Sequence, residues 1–178
     1  MSVRIAGVGG GTTKNIIMGM PTDKHKMEIS SVPTTGNNSK ITHSIGWGDF
    51  YAALSLSVSA TGSGTSITPV LDFDTTDFCD LTAYSKLCVA VNHTVGNSHT
   101  GHKCYIKLVA EDGTATKVAD VSIGKFNVLA VDISKYTGKY KIRIELQTGY
   151  ATYGYGTSTT SMAITNVSLG RGERNGMG

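Results

Sequence analysis

Alternating apolar and polar positions dominate the chain after residue 50 and are clearest between residues 128 and 146. An apolar run at residues 128–133 enters a polar turn, and a strand follows in which every second residue is apolar: Tyr140, Ile142, Ile144 and Leu146. The positions between them are charged: Lys139, Lys141, Arg143 and Glu145. Successive side chains of a strand point to opposite faces, so this pattern predicts a half-buried antiparallel strand with its charged face in water.

The turn at residues 134–138 carries its own signals. Gly138 suits a position that needs positive φ, and Asp132 can accept hydrogen bonds from the turn amides. A second turn is predicted at Asp112 and Gly113, where an Asp-Gly pair separates two alternating segments.

Eight or nine short strands are predicted between residues 50 and 169. In the strand at residues 104–110, Tyr105 and Lys107 point outward while Cys104, Ile106 and Leu108 point inward. No segment shows a 3.6-residue apolar period, so the fold class is all-β, and strands at this spacing indicate an antiparallel sandwich or barrel.

Residues 1–49 differ from the rest, being rich in glycine and turn formers, with short strands predicted only at residues 26–30 and 41–45. We expect an extended N-terminal arm that needs a partner or the domain body to order it, and that serves attachment or oligomerisation. The alternative is an ordinary N-terminal flap. The expected division is therefore an arm at 1–49, a β-sandwich at 50–169 and a polar, Gly-rich tail at 170–178.

Composition narrows the class of protein. Only 16% of the 178 residues are charged, against about 25% in ordinary soluble domains. The net charge of +3 is too small and scattered to indicate nucleic-acid binding, and no apolar run approaches a membrane span or a signal peptide. Three cysteines with no CxxC pair indicate reduced thiols in a protein made in the cytoplasm, although a single bridge between Cys88 and Cys104 stays open.

Two segments share one pattern, DLTAYSKLCVAV at residues 80–91 and DISKYTGKYKIRIEL at residues 132–146. Together with the closing MAITNVSL, they resemble the galactose-binding-like and carbohydrate-binding-module-like jelly rolls, which also occur in phage tail, fibre and other virion surface proteins. The resemblance covers about residues 70–169. It implies a β-sandwich jelly roll.

The resemblance also implies a non-enzymatic structural protein of a phage or phage-like particle: a fibre, decoration or tail component located in the virion. Its expected partners are other virion proteins, through the arm, and cell-surface glycans. A homo-oligomer is expected, with a trimer among the forms common in such fibres. The alternative is a soluble carbohydrate-binding module that is not attached to a virion.

The predicted binding residues are aromatic. Tyr150, Tyr153 and Tyr155 lie among small polar residues after the strongest strand, a setting that suits sugar stacking or protein contacts. Trp47 and Tyr51 form a second aromatic group. Both groups have the alternative role of packing on the protein itself. The sequence has no GxSxG elbow and no convincing pair of catalytic carboxylates, so no enzyme is expected.

Two clusters are weak candidates for metals. Asp72, Asp74 and Asp77 surround a strand end, and because Asp72 and Asp74 share a face, their repulsion needs either a cation such as calcium or exposure to water. Exposure of these aspartates to water is the simpler of the two explanations, so no cofactor is expected. The histidines of one loop are either solvated or ligands of a transition metal: His93, His99 and His102.

Overall fold

The computed structural model describes residues 14–18, 27–31, 39–48, 53–62, 70–96, 101–148 and 156–171. All regular structure in these ranges is β-strand. The strands are β1 (Lys14–Met18), β2 (Met27–Ser31), β3 (Ser39–Gly48), β4 (Ala53–Gly62), β5 (Val70–Thr75), β6 (Cys79–Asp80), β7 (Lys86–Gly96), β8 (Lys103–Ala110), β9 (Ala115–Asp120), β10 (Lys125–Asp132), β11 (Lys139–Gln147) and β12 (Gly156–Gly170).

These strands form two antiparallel sheets. The first sheet has the order β10-β7-β12-β4-β3, and β1 also pairs with β12. The second sheet has the order β2-β5-β11-β8-β9, and β6 also pairs with β11. In the described ranges no helix is long and apolar enough to cross a membrane.

The core is formed by the alternate apolar residues of both sheets, as the period-two pattern predicts. Ile142, Ile144 and Leu146 of β11 are fully buried. Burial of each such side chain contributes about 1.5–3 kcal/mol. They share one hydrophobic cluster with buried residues of four other strands: Leu71, Phe73, Leu87, Val91, Ile106, Leu108, Met162 and Leu169. The predicted antiparallel β-sandwich is therefore confirmed.

The turn before β11 has the predicted geometry. Gly138 has a φ of 90°, and the Ser134 amide donates a hydrogen bond of 2.9 Å to Asp132 Oδ1. Tyr136 and Tyr140 pack partly buried against the core, with ring centroids 5.8 Å apart in an edge-to-face arrangement. The residue choices at 132–140 thus shape the turn and cover the core.

The two segments that share a sequence pattern also contact each other. The Leu81 amide donates to the Gly138 carbonyl at 2.8 Å, and the Ile133 amide donates to the Ser85 carbonyl at 2.9 Å. Leu81 and Ile133 occupy equivalent positions after an aspartate, and both are fully buried. The repeated pattern therefore produces two turns that stabilise one another where β7 and β11 begin.

Within the segment predicted as an arm, the structure describes three strands, and all of them pair with the sheets. Strand β2 pairs with β5, β3 pairs with β4, and β1 pairs with β12. Strands β2 and β3 cover the two short strands expected there, whereas β1 was not expected. Met27 is 1% exposed, so this segment supplies a residue to the core. The boundary at residue 49 and the attachment role stay predictions.

The three cysteines are free thiols in this structure. Cys79 and Cys104 are buried, and Cys88 is half-buried on β7. Burial as small apolar side chains matches the expectation for reduced cysteines.

Candidate functional site

Charged side chains cover the outer face of the second sheet where β5, β11 and β8 run side by side. In one row across these strands, Asp74 lies beside Arg143, and Arg143 lies beside Lys107. In the next row, Asp72 lies beside Glu145, and Glu145 lies beside Tyr105. We call this group the ionic face: Asp72, Asp74, Tyr105, Lys107, Arg143 and Glu145.

Arg143 holds both aspartates of the ionic face. Its Nε and Nη2 atoms donate to the two carboxylate oxygens of Asp74 at 2.7 and 2.8 Å, and its Nη1 atom lies 2.8 Å from Asp72 Oδ2. The side chains of Arg143, Asp72 and Asp74 are only 20%, 14% and 4% exposed. A planar guanidinium in bidentate contact with a carboxylate forms a strong, directional ion pair, so these groups are held in place.

The other half of the ionic face is formed by β8 and β11, next to Lys117 of β9. Lys107 Nζ donates to Glu145 Oε2, and the two side chains are 21% and 13% exposed. The Tyr105 ring lies near two ammonium groups, with Lys107 Nζ 5.8 Å and Lys117 Nζ 4.8 Å from its centroid. Cation–π contacts of this kind fix the orientation of the ring.

Asp72 is the one carboxylate of the ionic face with an unsatisfied oxygen. Its Oδ1 atom is buried and has no hydrogen-bond partner within the described part of the chain. Burial raises the pKa of Asp72, Arg143 partly opposes this effect, and the charges of Glu145 and Asp74 add to it. A buried acceptor without a donor costs about 1–3 kcal/mol, so a ligand hydroxyl or amide that reached this atom would be stabilised.

The structure places two of the predicted calcium ligands in this face. Asp72 and Asp74 share a face, as expected, and the cation between them is Arg143. Asp77 is exposed in the turn after β5. No group of three His, Cys, Asp or Glu residues among the described residues could hold a metal ion. The calcium prediction therefore finds no support in the described residues.

Most of the predicted aromatic site lies outside the described residues: Tyr51, Tyr150, Tyr153 and Tyr155. Trp47 lies on β3, opposite Leu54 of β4, and so belongs to the first sheet. The structure does not bring Trp47 to the ionic face, and the predicted role of these aromatic residues stays a prediction.

Two of the three loop histidines are buried rather than solvated. His93 lies on β7 with 0% exposure, and its Nε2 atom is 2.7 Å from Thr160 Oγ1. His102 is 7% exposed, with Nε2 3.4 Å from Ser158 Oγ. Burial lowers the pKa of His93, His102 lowers it further, and the Val121 backbone opposes both. His99 lies outside the described residues.

The sequence pattern predicts that Arg143 is solvated, and this is wrong, because its side chain is only 20% exposed. Lys107 points outward as predicted and lies beside Arg143. The alternation placed them correctly on the outward face. What it could not show was that β5, β11 and β8 are neighbours, so that opposite charges meet and shield each other from water. The signal available in the sequence was two aspartates on one strand face and an arginine and a glutamate on another.

No protein-family model and no curated protein matches this chain. Several solved structures are similar to it in fold. A family 29 carbohydrate-binding module has a TM-score of 0.54 at 11% identity, covering 92% of this chain and 91% of its own. A second family 29 module, complexed with cellulohexaose, has a TM-score of 0.51 at 10% identity, with 91% and 92% covered.

A third carbohydrate-binding module, TmCBM27, was described for specific mannan recognition. It has a TM-score of 0.51 at 11% identity and covers 92% of this chain and 99% of its own. Identities this low establish the fold alone. This chain therefore has the antiparallel β-sandwich fold of the carbohydrate-binding modules.

Proposed function

We propose that this protein is a non-enzymatic glycan-binding module and that its ionic face binds the glycan. The observation that carries the proposal is the buried Oδ1 atom of Asp72, which lies beside Arg143 and has no hydrogen-bond partner among the described residues. Sugar hydroxyls both donate and accept hydrogen bonds, so they suit a surface on which carboxylates and cations alternate at fixed positions.

The arrangement is preorganised. Ion pairs fix Asp72, Asp74, Arg143, Lys107 and Glu145 before any ligand arrives. Binding then costs less side-chain entropy than it would at a surface of free lysines and glutamates. Tyr105 adds an aromatic side chain next to Glu145, and an aromatic ring is an apolar surface that a pyranose ring can contact. The module needs no cofactor for this kind of binding.

The same ion pairs oppose a hydrolytic function. A glycosidase needs a protonated carboxylic acid and an ionised carboxylate on either side of the scissile bond. Asp74 and Glu145 are each hydrogen-bonded to a cation, so neither carboxylate is free to approach a scissile bond. The fold of the carbohydrate-binding modules supports the same conclusion.

Binding should be tested with the intact chain against soluble and insoluble neutral polysaccharides and a glycan array. We expect Asp72→Ala and Tyr105→Ala each to weaken binding at least about tenfold, because each removes one ligand contact of about 1.4 kcal/mol or more. Thr94→Ala is the matched control, since Thr94 is exposed on β7 in the other sheet.

A Tyr150/Tyr153/Tyr155→Ala triple variant separates the ionic face from the tyrosine loop. If only the triple variant loses binding, the site lies in the loop. If the wild-type protein binds no glycan at all, the proposal fails.

The virion location and the attachment role of residues 1–49 extend this proposal. Their support lies in the sequence: a low-charge composition rich in glycine, and the resemblance to virion surface jelly rolls. Strands β1, β2 and β3 pair with the sheets, so a deletion of the whole segment would damage the fold. The suitable variant removes residues 1–13, and normal incorporation of that variant into particles would argue against attachment through them.

A further inference from the structure

Three of the four large apolar side chains that are exposed in the described ranges lie at one edge of the first sheet. Phe126 and Val128 of β10 are 55% and 74% exposed, and Ile123, just before the strand, is 44% exposed. Ala130 is also exposed, whereas Asn127 is buried and Leu129 and Val131 are half-buried. The outer side of β10 is therefore an apolar row, which we call the β10 row: Phe126, Val128 and Ala130.

Strand β10 lacks the features by which the two edge strands of the second sheet, β2 and β9, avoid pairing with a further strand. The pairing of β2 with β5 contains an irregularity, and β2 has only five residues. The pairing of β9 with β8 is also irregular, and β9 carries Lys117 and Asp120. By contrast, the eight residues of β10 pair regularly with β7, and its charges stand only at the two ends. Proteins normally interrupt an exposed edge with charges, bulges or short strands.

We propose that β10 is an interaction surface for a second copy of this chain, which pairs with it antiparallel around a two-fold axis. The charge pattern favours this occupant. The strand begins at Lys125 and ends at Asp132, and both side chains are exposed. Antiparallel pairing of two copies brings the basic end of each strand near the acidic end of the other, whereas parallel pairing would bring like charges together.

The pleat of the strand restricts the register. Residues directly opposite each other in an antiparallel pair point to the same face. The β10 rows of two copies therefore meet when Val128 pairs with Val128 of the second copy and Phe126 pairs with Ala130 of the second copy. A shift by one residue would place outer side chains of one copy beside inner side chains of the other. The register centred on Val128 buries three apolar contacts on one face and joins the two first sheets.

This register has a geometric consequence. Its two-fold axis is perpendicular to the first sheet, so the second sheets of both copies lie on the same side. Both ionic faces then point in one direction, as required for two sites to bind one polysaccharide surface with increased avidity. This consequence depends on the proposed glycan-binding function, but the pairing of β10 does not.

The test is the oligomeric state of the full chain, measured by sedimentation velocity over a wide range of micromolar concentrations. We expect a monomer–dimer equilibrium for the wild-type protein. Val128→Lys should weaken the dimer at least about tenfold, because it places two ammonium groups opposite each other and exposes apolar surface. Thr116→Lys on the exposed part of β9 is the matched control and should leave the equilibrium unchanged.

A second variant tests the register without depending on folding energetics. Val128→Cys should form an intermolecular disulfide under mild oxidation, because paired Cα atoms across antiparallel strands lie within the range that a disulfide spans. The wild-type protein and Thr116→Cys control for its three native thiols. A monomeric wild-type protein, or a dimer that survives Val128→Lys, overturns the proposal. A monomer that Val128→Lys destabilises would show that the chain itself covers β10, which also overturns it.

Discussion

Removal of Arg143 is the most direct test of the ionic face, because this residue alone neutralises two aspartates. In Arg143→Gln, Asp74 and Asp72 keep their positions at 4% and 14% exposure but lose their cation. Breaking a buried ion pair by removal of one partner costs about 3–5 kcal/mol. Arg143 is 20% exposed, so solvent screens part of this cost, and we expect a loss of about 2–3 kcal/mol in the free energy of unfolding at pH 7.

The loss of stability in Arg143→Gln should depend on pH, and the pKa of Asp72 determines the direction of that dependence. Burial raises the pKa of Asp72, and Arg143 is the largest influence that lowers it. Without Arg143 this pKa rises further, and the folded state binds a proton more readily than the unfolded state, whose ordinary value is 3.8. The loss in the free energy of unfolding is therefore complete at pH values above the raised pKa of Asp72, and it becomes smaller as the pH falls through that pKa. The gap between variant and wild type should narrow in acid.

Urea unfolding followed by circular dichroism between pH 4 and pH 8, a range of about four units, measures both effects. Lys139→Gln is the control on the same strand, since Lys139 is 61% exposed and its contact with Glu111 is 4.0 Å long. It should change stability by less than about 0.5 kcal/mol. A loss below about 1 kcal/mol for Arg143→Gln, or a gap that does not depend on pH, would mean that water already solvates the two aspartates.

Three further predictions concern the rest of the sandwich. A thiol reagent should label half-buried Cys88 in the native protein but not Cys104, which is buried and whose pKa is raised by that burial. Equal labelling rates would contradict the burial of Cys104. Gly138→Ala should lower the free energy of unfolding by about 1 kcal/mol or more, because φ is 90°, whereas Gly170→Ala has no such strain and should be neutral in the same urea titration. The pKa of His93 is lowered in the folded protein, so the unfolded state binds the proton first and wild-type stability should fall as pH drops below about 6.5. In His93→Gln, the melting temperature should depend less on pH in this range. An unchanged pH dependence would mean that other groups cause it.

How far the sequence predicts this molecule can be judged from β11. Its alternation correctly assigned Ile142, Ile144 and Leu146 to the core and Arg143 and Glu145 to the outer face. It could not show that Arg143 would meet Asp74, because the two residues are 69 positions apart and only the order of strands in the sheet joins them. Local pattern determines which face a residue occupies, whereas long-range pairing determines its neighbours.

The same limit explains the N-terminal segment and the histidines. Residues Lys14–Met18 show no clear alternation of apolar and polar side chains. They form a strand because they pair with the last part of β12. His93 was assigned to a solvated loop because polar residues follow it, yet β7 continues to Gly96 and places His93 between the sheets. In both cases the partner strand lies far away in sequence and decides the outcome.

The charge balance of the ionic face bears on the charge of the glycan that we propose it binds. Asp72, Asp74 and Glu145 carry three negative charges, and Arg143 and Lys107 carry two positive ones. An anionic ligand would have to separate one of these ion pairs, leaving a carboxylate in a half-buried position. A cationic ligand would compete with Arg143 for carboxylates that are already held in bidentate contact. A neutral hydroxyl can donate to Asp72 Oδ1 without breaking any existing pair, because that atom has no partner of its own in the described part of the chain. The ionic face therefore suits a neutral polysaccharide better than a charged one.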